Sequence, residues 1–330
     1  MIKREDLLQT PAVLRDYLSY HETIAGHSEK TVDEYFLDLR LFFRFLVHNR
    51  DNNSSIPLEE VNIINIDAAF LQSVTLNEVY DFLRYLSRER PKQQNSRKTD
   101  YGLSATSRTR KTVAIRSFFK YLKKFHIIEE NPVSELESPK QMKKLPRYLT
   151  FQESLGLLEA VKGRHELRDY AILTLFLNCG LRRAELAGLN VADVGEEKVR
   201  ILGKGGKERE LYLNDACRDV LDKWLENRPK DTEEKALFLS GQGKRMHPNT
   251  IHTLVKKHIL NAGLDPGRYS THKLRHTAAT LMLSSGVDVR TLQEVLGHEH
   301  LNTTQIYTHI DSAELRLAAK ANPLSRVKKK

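Results

Sequence analysis

Between positions 272 and 309 stand His272, Arg275, His276, His298, His300, Tyr307 and His309, within the strings STHKLRHTAAT, LQEVLGHEH and TTQIYTHI. Two chemistries suit this density. His272 and His276 are four apart, so they share one helical face at the spacing of two zinc ligands. Against a metal, Lys273 and Arg275 place positive charge beside the pair, and no glutamate fills the H-E-x-x-H position. The second chemistry acts on phosphate. His272 and Arg275 lie three apart and point the same way on a helix. An arginine fork matches two phosphate oxygens, and a histidine gives or takes a proton near neutral pH. Tyr307 supplies a hydroxyl nucleophile. His298 follows Gly297, which reads as a helix end, so its ring is free to project into a cleft.

A phosphodiester transition state needs further positive charge, and GLRRAEL at 180–186 offers it. Gly180 is placed to end one helix and Arg182 to begin the next, where backbone N–H groups also face an anion. The string LGKGGKERELYL at 202–213 adds Lys204 and Lys207 at a glycine-rich tip. Each residue alone has a plainer role, as a surface arginine, a core tyrosine or a hydrogen-bonded core histidine. The ordered set is harder to assign to chance. No Walker G-K-[ST], no G-x-G-x-x-G and no carboxylate cluster of a two-metal nuclease is present.

These groups need elements to position them. Apolar steps of three and four predict helices at 10–25, 28–48, 75–90 and 104–125, the second with Val32, Tyr35, Phe36, Leu39, Phe42, Phe43 and Leu46 on one face. Ser28 and Thr31 are its candidate N-caps, with Glu34 as capping-box partner to Thr31. Polar stretches at 48–73 and 90–103 read as long surface loops. Residues 131–149 hold three prolines and no apolar period, which predicts a linker between domains at 1–130 and 150–330. Thr150 and Glu153 form a second capping-box pattern ahead of helices at 151–162 and 165–178. The run Tyr170 to Cys179 is too short to span a membrane and reads as a helix buried on all sides. Val199, Ile201, Leu211 and Leu213 flank the glycine-rich tip as a β-hairpin. Helices follow at 214–227, 248–261, 271–285, 288–296 and around 302–308. A tail helix at 311–322 carries Ala313, Leu317, Ala318 and Ala321 as its apolar stripe.

The chain has 330 residues, 40% hydrophobic and 29% charged, with a formal net charge of +10. That composition excludes low-complexity, collagen-like and disulfide-scaffold classes and favours a polyanionic partner. The excess is local. Residues 84–124 carry thirteen Lys and Arg against Glu89 and Asp100, and Arg108, Arg110, Lys111, Arg116 and Lys120 are candidates for contact with nucleic-acid phosphates. Two cysteines without a C-x-x-C pair suggest a reducing compartment, and the polar start MIKREDLLQT is no signal peptide. The expectation is a soluble, cytoplasmic, nucleoid-associated protein.

In order, GLRRAEL, LGKGGKERELYL, HKLRH and LGHEHLNTTQIYTHI resemble the tyrosine recombinase (integrase) family, and within it the bacterial Xer recombinases. The likeness covers most of 150–310. It implies a mainly α fold, with an N-terminal four-helix (SAM-like) core-binding domain and a C-terminal mixed α/β catalytic domain bearing a small β-hairpin sheet. It implies that Arg182, Lys204, His272, Arg275, His298 and the nucleophile Tyr307 are catalytic, without metal or other cofactor. The implied reaction cuts and rejoins DNA through a 3′-phosphotyrosyl intermediate and a Holliday junction. Its partners would be duplex DNA with an inverted-repeat site and three further copies of the chain on two duplexes, with the tail helix handed to a neighbour. A second recombinase or a DNA translocase is a further candidate partner. Resolution of chromosome or plasmid dimers is the role expected from the Xer likeness. Integration or excision of a mobile element is the alternative, and an arm-binding phage integrase is less expected because no domain precedes the first helix. A nicking-resealing enzyme and a non-catalytic DNA-binding protein of the same fold are readings from other classes. Arg183 stands where the family usually has a small aliphatic residue and Ala184 where serine is common. The longer N-terminal loops bear on which site is used.

Overall fold

The computed structural model describes residues 6, 8–51, 56–91, 100–139, 147–203, 206, 208–230, 232–297 and 312–327, the side chains of 312–316 excepted. The chain forms two compact units, Met1–Lys143 and Lys144–Lys330. Among the described residues no helix is long and apolar enough to cross a membrane.

The first unit is helical: α1 (Ala12–Thr23), α2 (Glu29–Arg50), the short α3 (Ala68–Gln72), α4 (Leu76–Arg88) and α5 (Ala105–Lys124). Its core is a cluster of phenylalanines. Phe42 meets Phe82 edge-on at 5.2 Å, and Phe43 meets Phe118 edge-on at 5.3 Å, the arrangement that ring quadrupoles favour. Ser28 caps α2 by accepting the Thr31 N–H, as expected. Glu34 plays no capping part and pairs with Arg110 instead. The described residues of 48–73 are not the loose loop that the polar sequence suggests. Helix α2 runs on to Arg50, Val61, Ile63 and Ile66 are buried, and Arg50 clamps Glu78 with two hydrogen bonds of 2.7 and 3.0 Å. The linker is also shorter than its prolines imply, because Val133 and Leu136 are buried in the core of this unit. At the other end, Leu149 is buried in the second core and donates its N–H to Thr277 Oγ1.

In the second unit come α6 (Phe151–Glu159), α7 (Glu166–Cys179), α8 (Arg183–Gly188), strands β1 (Lys198–Leu202) and β2 (Glu208–Tyr212), α9 (Asp215–Asn227), α10 (Pro248–Asn261), α11 (Thr271–Ser284), α12 (Val289–Leu296) and α13 (Ser312–Ala321). The Thr150–Glu153 capping box forms as the sequence predicts. Helix α7 is buried from Arg168 onward and packs against α9 and α11. A hydrogen bond closes its first turn, where Asp169 Oδ2 meets the buried His258 Nε2 at 3.0 Å. At its far end Cys179 Sγ lies 3.7 Å from Cys217 Sγ on α9, both thiols free. The antiparallel hairpin pairs Val199 with Leu211 and Ile201 with Arg209, so those four side chains share a face.

The tail differs from its predicted stripe. Ala318 is buried while Leu317 is 67% exposed. Beyond α13, Asn322 is fully buried and donates from Nδ2 to Leu177 O at 2.9 Å, and Leu324 is fully buried in the core. Asn214 Nδ2 meanwhile bonds Asn178 Oδ1 and Ala319 O. In the single chain the tail docks on its own unit. Asn322 and Leu324, which make this contact, lie past the stripe named from the sequence. Leu324→Ala should lower stability by about 3 kcal/mol, the usual cost of truncating a buried leucine. Removal of residues 311–330 should leave the second unit unable to melt cooperatively, as read by calorimetry. A truncated chain that melts like the full one would show that the tail is dispensable to the core.

Candidate functional site

Two helices end side by side. Helix α7 stops at Gly180 (φ 59°, ψ 33°) and α12 at Gly297 (φ 63°, ψ 54°), both left-handed caps that favour glycine. Close side chains favour the same choice. A Cβ on Gly180 would stand 2.6 Å from Leu296 Cδ2, and one on Gly297 2.9 Å from Arg209 Cζ.

Helix ends leave carbonyl oxygens without intrahelical partners, at the negative pole of the helix. Arg275, buried on α11, serves both ends. Its Nη1 donates to Gly180 O at 2.7 Å and its Nη2 to Leu296 O at 2.6 Å. Burial, with repulsion from Arg182 and Arg209, lowers its pKa to about 10 against the pull of Glu185, so it stays charged at neutral pH. Arg182 sits ahead of α8. Its Nη2 donates to Gly297 O at 2.9 Å, its Nη1 to Glu185 Oε1 at 2.7 Å and its backbone N–H to Glu185 Oε2 at 2.8 Å. That N–H is thus already used, contrary to the expectation that it faces an anion. The guanidinium remains 44% exposed.

Glu185 is the hub that sequence reasoning missed. Its carboxylate is nearly inaccessible and also receives Arg209 at Nη1 and Nη2, both 3.0 Å, with Arg275 at 4.0 Å. Burial pushes the carboxyl up, but Arg209 and the Arg182 N–H outweigh it and hold it at about 2. Three guanidiniums around one carboxylate leave a net positive site suited to an anion. The signals were present. Glu185 follows Arg182 at the three-residue spacing of a capping box, and alternation along β2 puts Arg209 on the core face beside Leu211.

His272 lies one turn before Arg275 on α11, its Nε2 3.1 Å from His276 Nε2, so one ring donates to the other. Partial desolvation, Lys273 and Arg275 lower its pKa, which keeps it neutral and able to accept a proton at pH 7. The structure thus brings Arg182, Arg275 and His272 to one region of the second unit. Lys204, Lys207, His298 and Tyr307 lie outside the described residues. In the chain, Lys204 and Lys207 fall between β1 and β2, and His298 directly follows Gly297.

The α5 candidates divide. Lys111 is buried and bonds Asp38 Oδ1 at 2.5 Å, while Arg110 pairs with Glu34 and, at 2.8 Å, with Asp38. Burial raises the Asp38 carboxyl, and Lys111 and Arg110 pull it back. Lys111 is spent on Asp38, while Arg110 divides between Asp38 and Glu34 with its side chain 45% exposed. Lys111 shares its helical face with the buried Ile115 and Phe118, which is why the charge excess misled. Arg116 and Lys120 are exposed and Arg108 is half-buried.

Comparison with known proteins adds to this geometry. The Phage integrase family matches residues 147–314. The Tyrosine recombinase XerC of Caldanaerobacter subterraneus subsp. tengcongensis is 45% identical over 335 residues, covering 98% of this chain and 92% of its own. Among solved structures, XerH recombinase bound to palindromic difH in a post-cleavage complex has TM-score 0.61 at 24% identity, covering 88% of this chain and 79% of that one. A lambda integrase tetramer bound to a Holliday junction has TM-score 0.63 at 17% identity, covering 91% and 80%. The two structures share the fold of this chain.

Lys111→Met should cost about 3 kcal/mol in chemical denaturation, because Asp38 is left buried beside a weaker partner. Adding Asp38→Leu should return most of the loss. A single variant as stable as the wild type would show that the pair contributes nothing.

Proposed function

The chain belongs to the phage integrase family and is a site-specific tyrosine recombinase of the Xer type, and from that premise we propose how its residues cut and rejoin DNA. The unit Met1–Lys143 is the core-binding domain and Lys144–Lys330 the catalytic one. Tyr307 attacks the scissile phosphorus. The bond to the 5′ oxygen breaks, a 3′-phosphotyrosyl bond forms and a 5′ hydroxyl is released. The free 5′ hydroxyl of the partner duplex then reverses the step, and two rounds pass through a Holliday junction.

A tyrosine hydroxyl has an ordinary pKa near 10 and needs a proton acceptor to attack. His272, neutral at pH 7, takes that proton, and Lys204 protonates the leaving 5′ oxygen. Arg182 and Arg275 neutralise the non-bridging oxygens, since each terminal nitrogen keeps a second N–H beyond those spent on Glu185 and the helix ends. His298 donates a hydrogen bond to the same phosphate. The observation that carries this reading is the rigid setting of the two arginines around Glu185. Such pre-set charge stabilises a transition state without reorganisation.

Duplex DNA with an inverted-repeat site is the substrate, and four copies act on two duplexes. The tetrameric lambda integrase of the same fold supports that assembly. The role is resolution of chromosome or plasmid dimers in the cytoplasm at the nucleoid, with a second recombinase or a DNA translocase as partner. Arg116 and Lys120 contact DNA backbone from the first unit, joined by Lys207 from the second.

The substrate for a test is a duplex selected by the protein from a pool of inverted repeats, nicked beside the cleavage position to trap covalent product. Wild-type protein should form an adduct in excess EDTA, and Tyr307→Phe should form none while binding equally well. Adduct from the mutant, or a strict need for magnesium, would overturn the mechanism. On the unnicked duplex, Arg116→Gln with Lys120→Gln should flatten the slope of log affinity against log salt by between one and two, at about 0.9 per phosphate contact. An unchanged slope would mean that these side chains touch no phosphate.

A further inference from the structure

Arg209 has no place in the mechanism above, yet it is buried more deeply in the site than Arg182. Its side chain is 17% exposed against 44% for Arg182. It grips Glu185 with a two-point fork, Nη1 to Oε1 and Nη2 to Oε2, both at 3.0 Å. It also lies flat against Gly297, where Cζ, Nε and Nη1 would all stand within 3.0 Å of any added Cβ. The bare α-carbon of Gly297 is thus what admits the guanidinium. Arg209 is the second residue of β2, two positions after Lys207 and five after Lys204.

The charges explain why such a residue is needed. Glu185 holds Arg182 in place through two hydrogen bonds, one from the backbone and one from Nη1. A carboxylate that holds an arginine this closely also cancels its charge, so a lone Arg182–Glu185 pair offers a phosphate almost nothing. A second cation on the same carboxylate removes that penalty, and a fork does so in fixed geometry. Arg275 stands 4.0 Å from the same carboxylate and makes no hydrogen bond to it, so the second hydrogen-bonded cation is Arg209, from the strand that follows the Lys204 connection.

Resting on the recombinase reading, we infer that Arg209 is a positioning residue for strand cleavage. By balancing Glu185 it leaves the charge of Arg182 available to the scissile phosphate, and it fastens the start of β2 to Glu185 of α8 and to Gly297 at the end of α12.

The test is a double-mutant cycle on the nicked duplex, read as single-turnover rate of covalent adduct, with DNA affinity and melting temperature measured alongside. Arg209→Gln should cleave at least 100-fold more slowly than wild type at DNA affinity within threefold. Arg209→Lys, which keeps the charge but loses the fork, should fall between. In a Glu185→Gln background, Arg209→Gln should change the rate by less than threefold, because no carboxylate charge remains to be balanced. Arg209→Gln cleaving like wild type overturns the inference. So does a tenfold or larger drop when it is added to Glu185→Gln, since that would mark a merely structural side chain. If Arg209→Gln alone does not fold, the comparison within the Glu185→Gln background decides by itself. Absence of adduct from wild type would defeat the recombinase reading and this inference together. Adduct from wild type with an unaffected Arg209→Gln defeats this inference alone.

Discussion

A helix that ends inside a protein leaves carbonyl oxygens with nothing to bond. Two such ends, those of α7 and α12, are served by the single guanidinium of Arg275. The rest of the site hangs from that bridge. Because Arg275 joins Gly180 O to Leu296 O, the two helix ends are fixed against each other. Arg182 starts two positions after one of them and reaches back to Gly297 O. A buried arginine is costly to desolvate unless its partners are close and well aimed. Here they are carbonyl dipoles and a carboxylate, and all of them belong to the site. The groups that make the interior tolerable are the same groups that hold the cations at its edge.

Much of this was legible in the sequence. Gly180 and Gly297 read as helix ends, the run before Gly180 as an all-round buried helix, and Val199, Ile201, Leu211 and Leu213 as the walls of a hairpin. Those features depend on local pattern and survive folding unchanged. What stayed hidden depends on pairing across the chain. Glu185 stands three positions after Arg182, but local pattern does not bring Arg209 and Arg275 to it from two other elements. Arg110 and Lys111 looked like part of a phosphate-binding face because Asp38, which they serve, lies more than 70 positions away. The linker prolines drew attention from Val133 and Leu136, two apolar residues too few to form a period.

The two units solve the problem of buried polarity differently. In the first, one carboxylate, Asp38, is met by a lysine and an arginine from the facing helix, and aromatic edges fill the remaining space. In the second, buried amides work beside the charged groups of the site. Asn178, Asn214 and Asn322 link α7, the start of α9 and the turn beyond α13. Amides carry no charge to desolvate, yet each can donate and accept, so they suit a junction of three elements.

The bond from Asn322 to Leu177 O spans 145 positions of chain. With Leu324 it completes the packing around α7, so the second core stays open during synthesis until residue 324 has left the ribosome. The first core needs nothing beyond Leu136. At roughly 5–20 residues per second, about 10–40 s separate the two events. Tyr307 is made before that interval closes. A nascent chain therefore carries its proposed nucleophile for a time without a finished setting for it, and becomes competent to cut only after residue 324 has reached the core.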